Sequence, residues 1–198
     1  NSVDHALSKD LKSFWWKGTK LHYNSFSPGV APPYAVGALK DNFSNAARQV
    51  IRDKKQRYLV SPPIIPTHHE VIAKTEFSTW EYIFDPEFMG PGRIWPKHLG
   101  KVFRGPWPTT KASTMLSSMQ DLIKTVREFR NRVSHHEPVW KRYGVSSETD
   151  AIAHLHEKIG KIRSLISIVS PEKELLIIKN GLLSRAERVC SINELRCC

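Results

Sequence analysis

The strongest structural pattern in this chain is residues 112–136, ASTMLSSMQDLIKTVREFRNRVSHH. Apolar side chains recur along it at spacings of three and four residues, which is the period of one helix face. The pattern stops before Pro138, which cannot continue a helix and disfavours the helical conformation at Glu137. The sequence therefore predicts a long amphipathic helix with His135 and His136 in or just past its last turn.

Helical patterns also cover most of the chain before this segment. Residues 35–59 have the same periodicity, and Thr67 with Glu70 has the capping-box spacing of a helix start. The second helix is predicted to run to Phe84, and residues 95–103 to form a short one. Residues 1–34, with an aromatic segment over residues 10–16 and several prolines, are predicted to form a partly irregular arm whose tryptophans pack in a core or dimer interface.

The part after the central helix is predicted to be helical as well. Ser147 and Asp150 form a plausible N-cap pair, and the apolar residues that follow recur like a heptad seam suited to antiparallel packing. Ser170 before Pro171 predicts a helix stop and restart, and Asn180-Gly181 predicts a helix end. Strand patterns are almost absent, so residues 35–198 are predicted to form one all-α domain of about five to seven helices.

The positive charge of the chain is concentrated around the histidine pair. The formal net charge is +11, and residues 93–142 alone contain eleven basic and three acidic side chains, a net +8. Such a concentration favours a polyanionic partner, either nucleic acid or a membrane surface. The longest apolar runs are far too short to span a bilayer, so no membrane insertion is expected.

The cysteines indicate a reducing compartment. Cys190, Cys197 and Cys198 all lie at the C-terminal end, where they cannot cross-link a core. The chain also lacks a signal-peptide pattern. A cytoplasmic location is therefore expected.

The end of the central helix resembles a known family. Arg130-Asn131, three residues and then His135 resembles the Arg-polar-x3-His motif of HEPN-type ribonuclease domains, and residues 130–138 together resemble the Abi-like (abortive-infection) branch. Upstream, Phe77, Trp80, residues 94–96 and Phe103 are similar to the aromatic and proline pattern of that branch. The sequence departs from it at residues 78–79, where Ser-Thr replaces the usual glycine.

This resemblance implies a fold, an activity and partners. The fold would be a HEPN-like helical bundle. The activity would be metal-independent endoribonuclease cleavage in bacterial anti-phage defence or as a toxin, without a cofactor and with a 2′,3′-cyclic phosphate product. HEPN domains usually act as dimers with facing motifs, so a second copy is an implied partner. RNA is implied as the substrate, and an antitoxin or a phage-derived trigger as a further partner.

The residue types in the motif suit this chemistry. Cleavage of an RNA phosphodiester needs a base, an acid and a cation that stabilises the phosphorane. Histidine serves as acid or base near neutral pH, and arginine can hold two phosphate oxygens at once. Arg130 is therefore assigned to the scissile phosphate, His135 to acid–base work and Asn131 to orientation, with His136 a further catalytic candidate. The candidates for substrate binding are Arg127, Arg132, Glu137, Lys141 and Arg142.

Helix geometry limits this assignment. Arg130 and His135 are five residues apart, so on one straight helix they diverge by about 140°. Either the break at Pro138 swings His135 round, or two copies each supply one motif to a shared cleft. The resemblance favours the second solution or both.

Three other interpretations stay open. His135 and His136 can act as cap residues for the last carbonyls, and the flanking arginines can form a solvated face. The domain can also bind RNA without cutting it. A metal site built from His68-His69-Glu70 and residues 135–137, with His154 and His156 nearby, is disfavoured because adjacent helical histidines point about 100° apart.

Overall fold

A computed structural model describes residues 2–11, 13–17, 31–59, 61–91, 93–141 and 144–195. This part of the chain is all-α and contains ten α-helices and two short 3-10 helices. Its strand-type pairing, within those ranges, is limited to one isolated bridge between Met89 and Trp95. The all-α prediction is confirmed. None of the described helices is both long and apolar enough to cross a membrane.

The helices vary widely in length, and six of them contain eight residues or more. Their bounds are α1 Ser2–Leu11, α2 Tyr34–Gln56, α3 His68–Lys74, α4 Phe77–Tyr82, α5 Leu99–Val102, α6 Ala112–Ser134, α7 Glu148–Val169, α8 Pro171–Lys179, α9 Leu182–Val189 and α10 Ile192–Leu195. The 3-10 helices are Trp15–Lys17 and Pro86–Phe88.

The chain divides into two compact units. The first consists of Asn1–Val102 with Lys111–Gln120, and the second of Phe103–Thr110 with Asp121–Cys198. Helix α6 contributes residues to both. The predicted division of the chain at residue 34 remains a prediction.

The core of the first unit is built on aromatic packing against α2. Trp15 and Trp16 are buried, and the Trp16 ring stacks on Phe43 of α2 with centroids 4.2 Å apart. The prediction that these tryptophans pack in a core is thus confirmed. The aromatic segment over residues 10–16 is divided between two elements: α1 ends at Leu11, the separate 3-10 helix begins at Trp15, and Phe14 before it has a positive φ of 58°.

A buried polar network ties α1 to α3. The Phe14 amide donates to His68 Nδ1 at 2.9 Å, so Nε2 carries the ring proton and donates to Asp4 Oδ1 at 3.0 Å. The Trp15 indole donates to the same Asp4 oxygen at 3.0 Å. His68 therefore has a structural role, as does Glu70, which completes the predicted capping box with Thr67.

Two predicted helices differ from the structure. The single helix expected from Thr67 to Phe84 is interrupted, since Thr75 and Glu76 are both extended. The Thr75 hydroxyl and the Thr75 amide both donate to the Ile72 carbonyl, at 2.7 and 3.2 Å, and satisfy it at the end of α3. The helix expected at residues 95–103 begins only at Leu99, because the Trp95 backbone pairs instead with Phe88 and Gly90.

The second unit contains the end of α6 and helices α7 to α10. Ser147 caps α7 by accepting from the Asp150 amide, and Gly181 follows α8 with a φ of 63°, so both predicted helix boundaries are confirmed. Residues 103–110 pack closely on the end of α7, where the Gly105 amide donates to the Ile168 carbonyl at 2.9 Å. A Cβ at Gly105 would lie 2.0 Å from the Ser167 carbonyl oxygen. The approach therefore requires glycine.

Candidate functional site

The motif lies at the C-terminal end of α6, which closes in a Schellman arrangement. The Glu137 amide donates to the Arg132 carbonyl at 2.9 Å and the His136 amide to the Val133 carbonyl at 3.2 Å. His136 occupies the left-handed position with a φ of 55°. The backbones of both histidines thus finish the helix, as the sequence predicted, while their side chains are exposed.

Arg132 holds the loop that follows the helix. Its guanidinium donates to the Pro138 carbonyl and, at 2.7 Å, to the Lys141 carbonyl. It also lies 3.5 Å from the Glu137 carboxylate. These contacts give Arg132 and Glu137 a structural function in addition to the substrate contact predicted for them.

Arg130 and His135 are both exposed, but one chain does not bring them together. The His135 amide donates to the Asn131 carbonyl at 2.9 Å, so the helical path continues through residue 135. The angle of about 140° expected between the two side chains is therefore kept, and the turn at Pro138 comes too late to rotate His135. Asn131 lies one turn before His135, and its amide oxygen accepts from Arg130 at 3.4 Å.

The structure describes two of the three remaining predicted site residues, Arg127 and Lys141. Arg127 is half-buried on α6, one turn before Arg130. Lys141 is exposed, and its amide donates to the Pro138 carbonyl at 3.2 Å, so the loop positions it next to Arg132. Arg142 lies outside the described residues.

A basic cleft of about 390 Å³ adjoins the motif on the Arg132 side, between α6, α7 and the loop. Its lining contains three cations and one carboxylate, and consists of Thr125, Glu128, Phe129, Arg132, Val139, Lys141, His154 and Lys158. Trp140 lies between two of these lining residues in the sequence and is 45% exposed. Neither Arg130 nor His135 lines the cleft.

The sequence did not predict that Lys158 and Trp140 belong to a binding site, or that His154 lines a cleft. His154 and Lys158 are four residues apart on a predicted helix, and this spacing places them on one face. What the sequence lacked was the position of α7 across the cleft from α6. His154 is buried, with Nδ1 3.7 Å from the Glu157 carboxylate.

Four of the six residues in the two His-His-Glu triplets have structural roles. His68 and Glu70 make the contacts of α3 given above, while His136 closes α6 and Glu137 faces Arg132. Across the described ranges, no cluster of three or more histidine, cysteine, aspartate and glutamate side chains is placed to hold a metal ion.

No protein-family model, curated protein or solved structure matches this chain significantly. The likeness to the Abi-like motif accordingly depends on residues 130–138 and the aromatic and proline pattern upstream of them.

Proposed function

We propose that this protein is a metal-independent endoribonuclease of the HEPN and Abi-like type, whose site is completed by a second copy of the chain. The observation that carries the proposal is the exposure of Arg130 and His135 at a helix end whose backbone is closed by defined hydrogen bonds. A rigid support of this kind suits residues that must meet a phosphate in a fixed geometry. The resemblance extends the proposal to a role in anti-phage defence or as a toxin.

The chemistry is a transfer of the phosphoryl group within the RNA. The 2′-hydroxyl oxygen attacks the adjacent phosphorus as a base takes its proton, and the bond from phosphorus to the 5′-oxygen breaks as an acid protonates that oxygen. The products are a 2′,3′-cyclic phosphate and a 5′-hydroxyl. His135 supplies one of the two proton transfers, and Arg130 stabilises the charge on the phosphorane. Asn131, placed between them along α6, orients the phosphate or the imidazole.

A second copy explains how the two side chains converge. Because Arg130 and His135 point in different directions from one helix, neither chain alone encloses a phosphate between them. Two α6 ends related by a two-fold axis place Arg130 of one copy opposite His135 of the other. The number of sites in such a dimer is two.

The test is cleavage of a mixed RNA pool in the presence of EDTA. Arg130→Ala and His135→Ala should each abolish the formation of 2′,3′-cyclic phosphate ends without unfolding the protein, while Lys124→Ala, an exposed cation on the same helix, should cut like the parent. Undiminished cleavage by both motif variants would refute the assignment.

Mixing the two inactive variants tests the composite site. A heterodimer of Arg130→Ala and His135→Ala chains contains one site with both residues intact, so a statistical mixture should recover about a quarter of the parent activity. A site contained within one chain predicts no recovery. Each variant incubated alone is the control.

A non-catalytic RNA-binding module is the second candidate function. It is favoured by the divergence of Arg130 and His135 within the chain and by the basic cleft beside them. This alternative predicts a salt-sensitive mobility shift of RNA without cleavage.

A further inference from the structure

We infer that the basic cleft and Trp140 form a subsite for single-stranded RNA, in which the cleft cations contact backbone phosphates and the indole stacks on a base. This inference rests on the proposed function, because it names the form of RNA that reaches the motif. It assigns the binding of the flanking strand to residues other than Arg130 and His135.

The charge of the cleft fits a phosphate backbone. Arg132 and Lys141 approach from the end of α6 and its loop, and Lys158 from α7, while Glu128 is the one carboxylate in the described lining. The formal charge of these four side chains is +2. Cations placed on different sides of a cleft that is also apolar, through Phe129 and Val139, are typical of grooves that follow a single strand.

Trp140 differs from the other tryptophans. Trp15, Trp16 and Trp95 are buried to 96% or more, and Trp80 and Trp107 are partly buried, whereas Trp140 leaves 45% of its surface accessible. Its sequence neighbours Val139 and Lys141 line the cleft, so the accessible indole is carried by the loop that forms part of the cleft wall. Such an indole offers a stacking surface that accepts any unpaired base. The bases of a duplex are already stacked and paired, so this surface favours a single strand.

Hydrogen bonds fix the loop backbone on either side of Trp140 before any ligand binds. The Arg132 guanidinium donates to the carbonyls of Pro138 and Lys141, which lie on either side of Trp140 in the chain. The Lys141 amide also donates to the Pro138 carbonyl. Because the loop is already ordered, little conformational entropy is lost when a base stacks on the indole.

The test measures binding separately from cleavage. A 2′-O-methyl single-stranded oligonucleotide cannot be cut by attack of a 2′-hydroxyl, so a dye-labelled form reports binding to the intact protein through its fluorescence anisotropy. Quenching of tryptophan fluorescence in the parent protein reports the stacking. Trp140→Ala and Lys158→Ala should each weaken binding by about tenfold. Lys158→Ala should also reduce the slope of log affinity against log salt by about 0.7. Lys179→Ala, an exposed lysine on α8, is the matched control and should bind like the parent.

The outcomes separate this inference from the proposed function. Parent-like binding by both cleft variants, absence of quenching, or equal affinity for a duplex of the same sequence would overturn the subsite, even if RNA cleavage is intact. Conversely, Trp140-dependent binding by a protein that cuts no RNA would support the subsite and refute the nuclease. Circular dichroism of each variant confirms that its helices are retained.

Discussion

The Glu137 amide donates a 2.9 Å hydrogen bond to the Arg132 carbonyl, while the Arg132 guanidinium lies 3.5 Å from the Glu137 carboxylate. The two residues are thus connected by main chain and by side chains across the left-handed residue His136. As a consequence, hydrogen bonds and the ion pair join the end of α6 to the loop after it. The geometry of the proposed motif and that of the basic cleft both depend on this connection.

Arg132→Ala should loosen the loop and destabilise the fold. It removes two hydrogen bonds to carbonyls that are made by a partly exposed guanidinium, and we expect a loss of about 1–2 kcal/mol in the free energy of unfolding. Urea denaturation measures this loss, and hydrogen exchange of the Lys141 amide should become faster. Arg130→Ala, which removes an exposed guanidinium two residues earlier on α6, should change stability by less than about 0.5 kcal/mol. Equal stability of the two variants would contradict the anchoring role of Arg132.

His136→Gly should stabilise the protein. His136 has a φ of 55°, and glycine adopts this left-handed conformation without the steric cost of a Cβ. We expect a gain of about 0.5–1 kcal/mol in the free energy of unfolding, measured by urea denaturation. Val133→Gly, inside the last turn of α6, should have the opposite effect. A loss of stability in His136→Gly would mean that its imidazole makes a contribution larger than the backbone gain.

Glu70 should make the stability depend on pH in the acid range. Hydrogen bonds from Lys54 and from Thr67 lower the pKa of the Glu70 carboxyl from 4.5 to about 2. Because the pKa is depressed in the folded state, the stabilisation is complete above the unfolded value and is lost as the pH falls from 4.5 towards 2. The stability difference between the parent and Glu70→Gln should therefore shrink across this window in urea titrations.

Lys54→Met provides the control for that pH dependence. The Lys54 amine lies 2.8 Å from Glu70 and is the largest cause of its lowered pKa. This variant should lose much of the acid dependence while keeping the carboxylate and its bonds to Thr67. An acid profile identical to the parent's would show that Lys54 does not set the pKa of Glu70.

Gly105→Ala and Gly160→Ala should have opposite effects. A Cβ at Gly105 would lie 2.0 Å from the Ser167 carbonyl oxygen, so the segment must move away from α7, at a cost of about 3 kcal/mol or more. Gly160 lies inside α7 with no heavy atom within 4 Å of an added Cβ, and alanine should stabilise the helix by about 0.5–1 kcal/mol. Thermal denaturation of the pair is the measurement. A tolerated alanine at position 105 would contradict the close packing of residues 103–110 on α7.

Much of the helical structure could be predicted because its causes are local. The apolar period of α6, the Ser147 cap of α7 and the break at Pro171 all depend on residues within about four positions of one another. The break at Thr75 and Glu76 was not predicted, since the apolar pattern continues through it. There the Thr75 hydroxyl joins the Thr75 amide on the Ile72 carbonyl, and the hydrophobic period does not record such a local hydrogen bond.

The positions of the motif residues could be predicted from the sequence, but the cleft beside them could not. The sequence placed Arg130, Asn131 and His135 near a helix end, and the structure places them there with Arg130 and His135 exposed. The sequence did not place Lys158 in the same cleft as Arg132, because 26 positions and a loop separate them. Nor did it indicate that the Arg132 guanidinium would turn to the carbonyls of its own loop.

By itself the sequence determined the all-α class, most helix ends and the position of the Arg/His motif, because hydrophobic period, capping and proline act over a few residues. Only the tertiary structure decided how His68 pairs with Asp4, how Gly105 meets Ile168 and how Lys158 joins the cleft. Those contacts join groups far apart in the chain, and burial selects them only when whole helices pack. The same distinction holds for the motif. Local geometry sets the directions of Arg130 and His135 on α6, whereas the proposed second copy concerns a surface that local geometry does not describe.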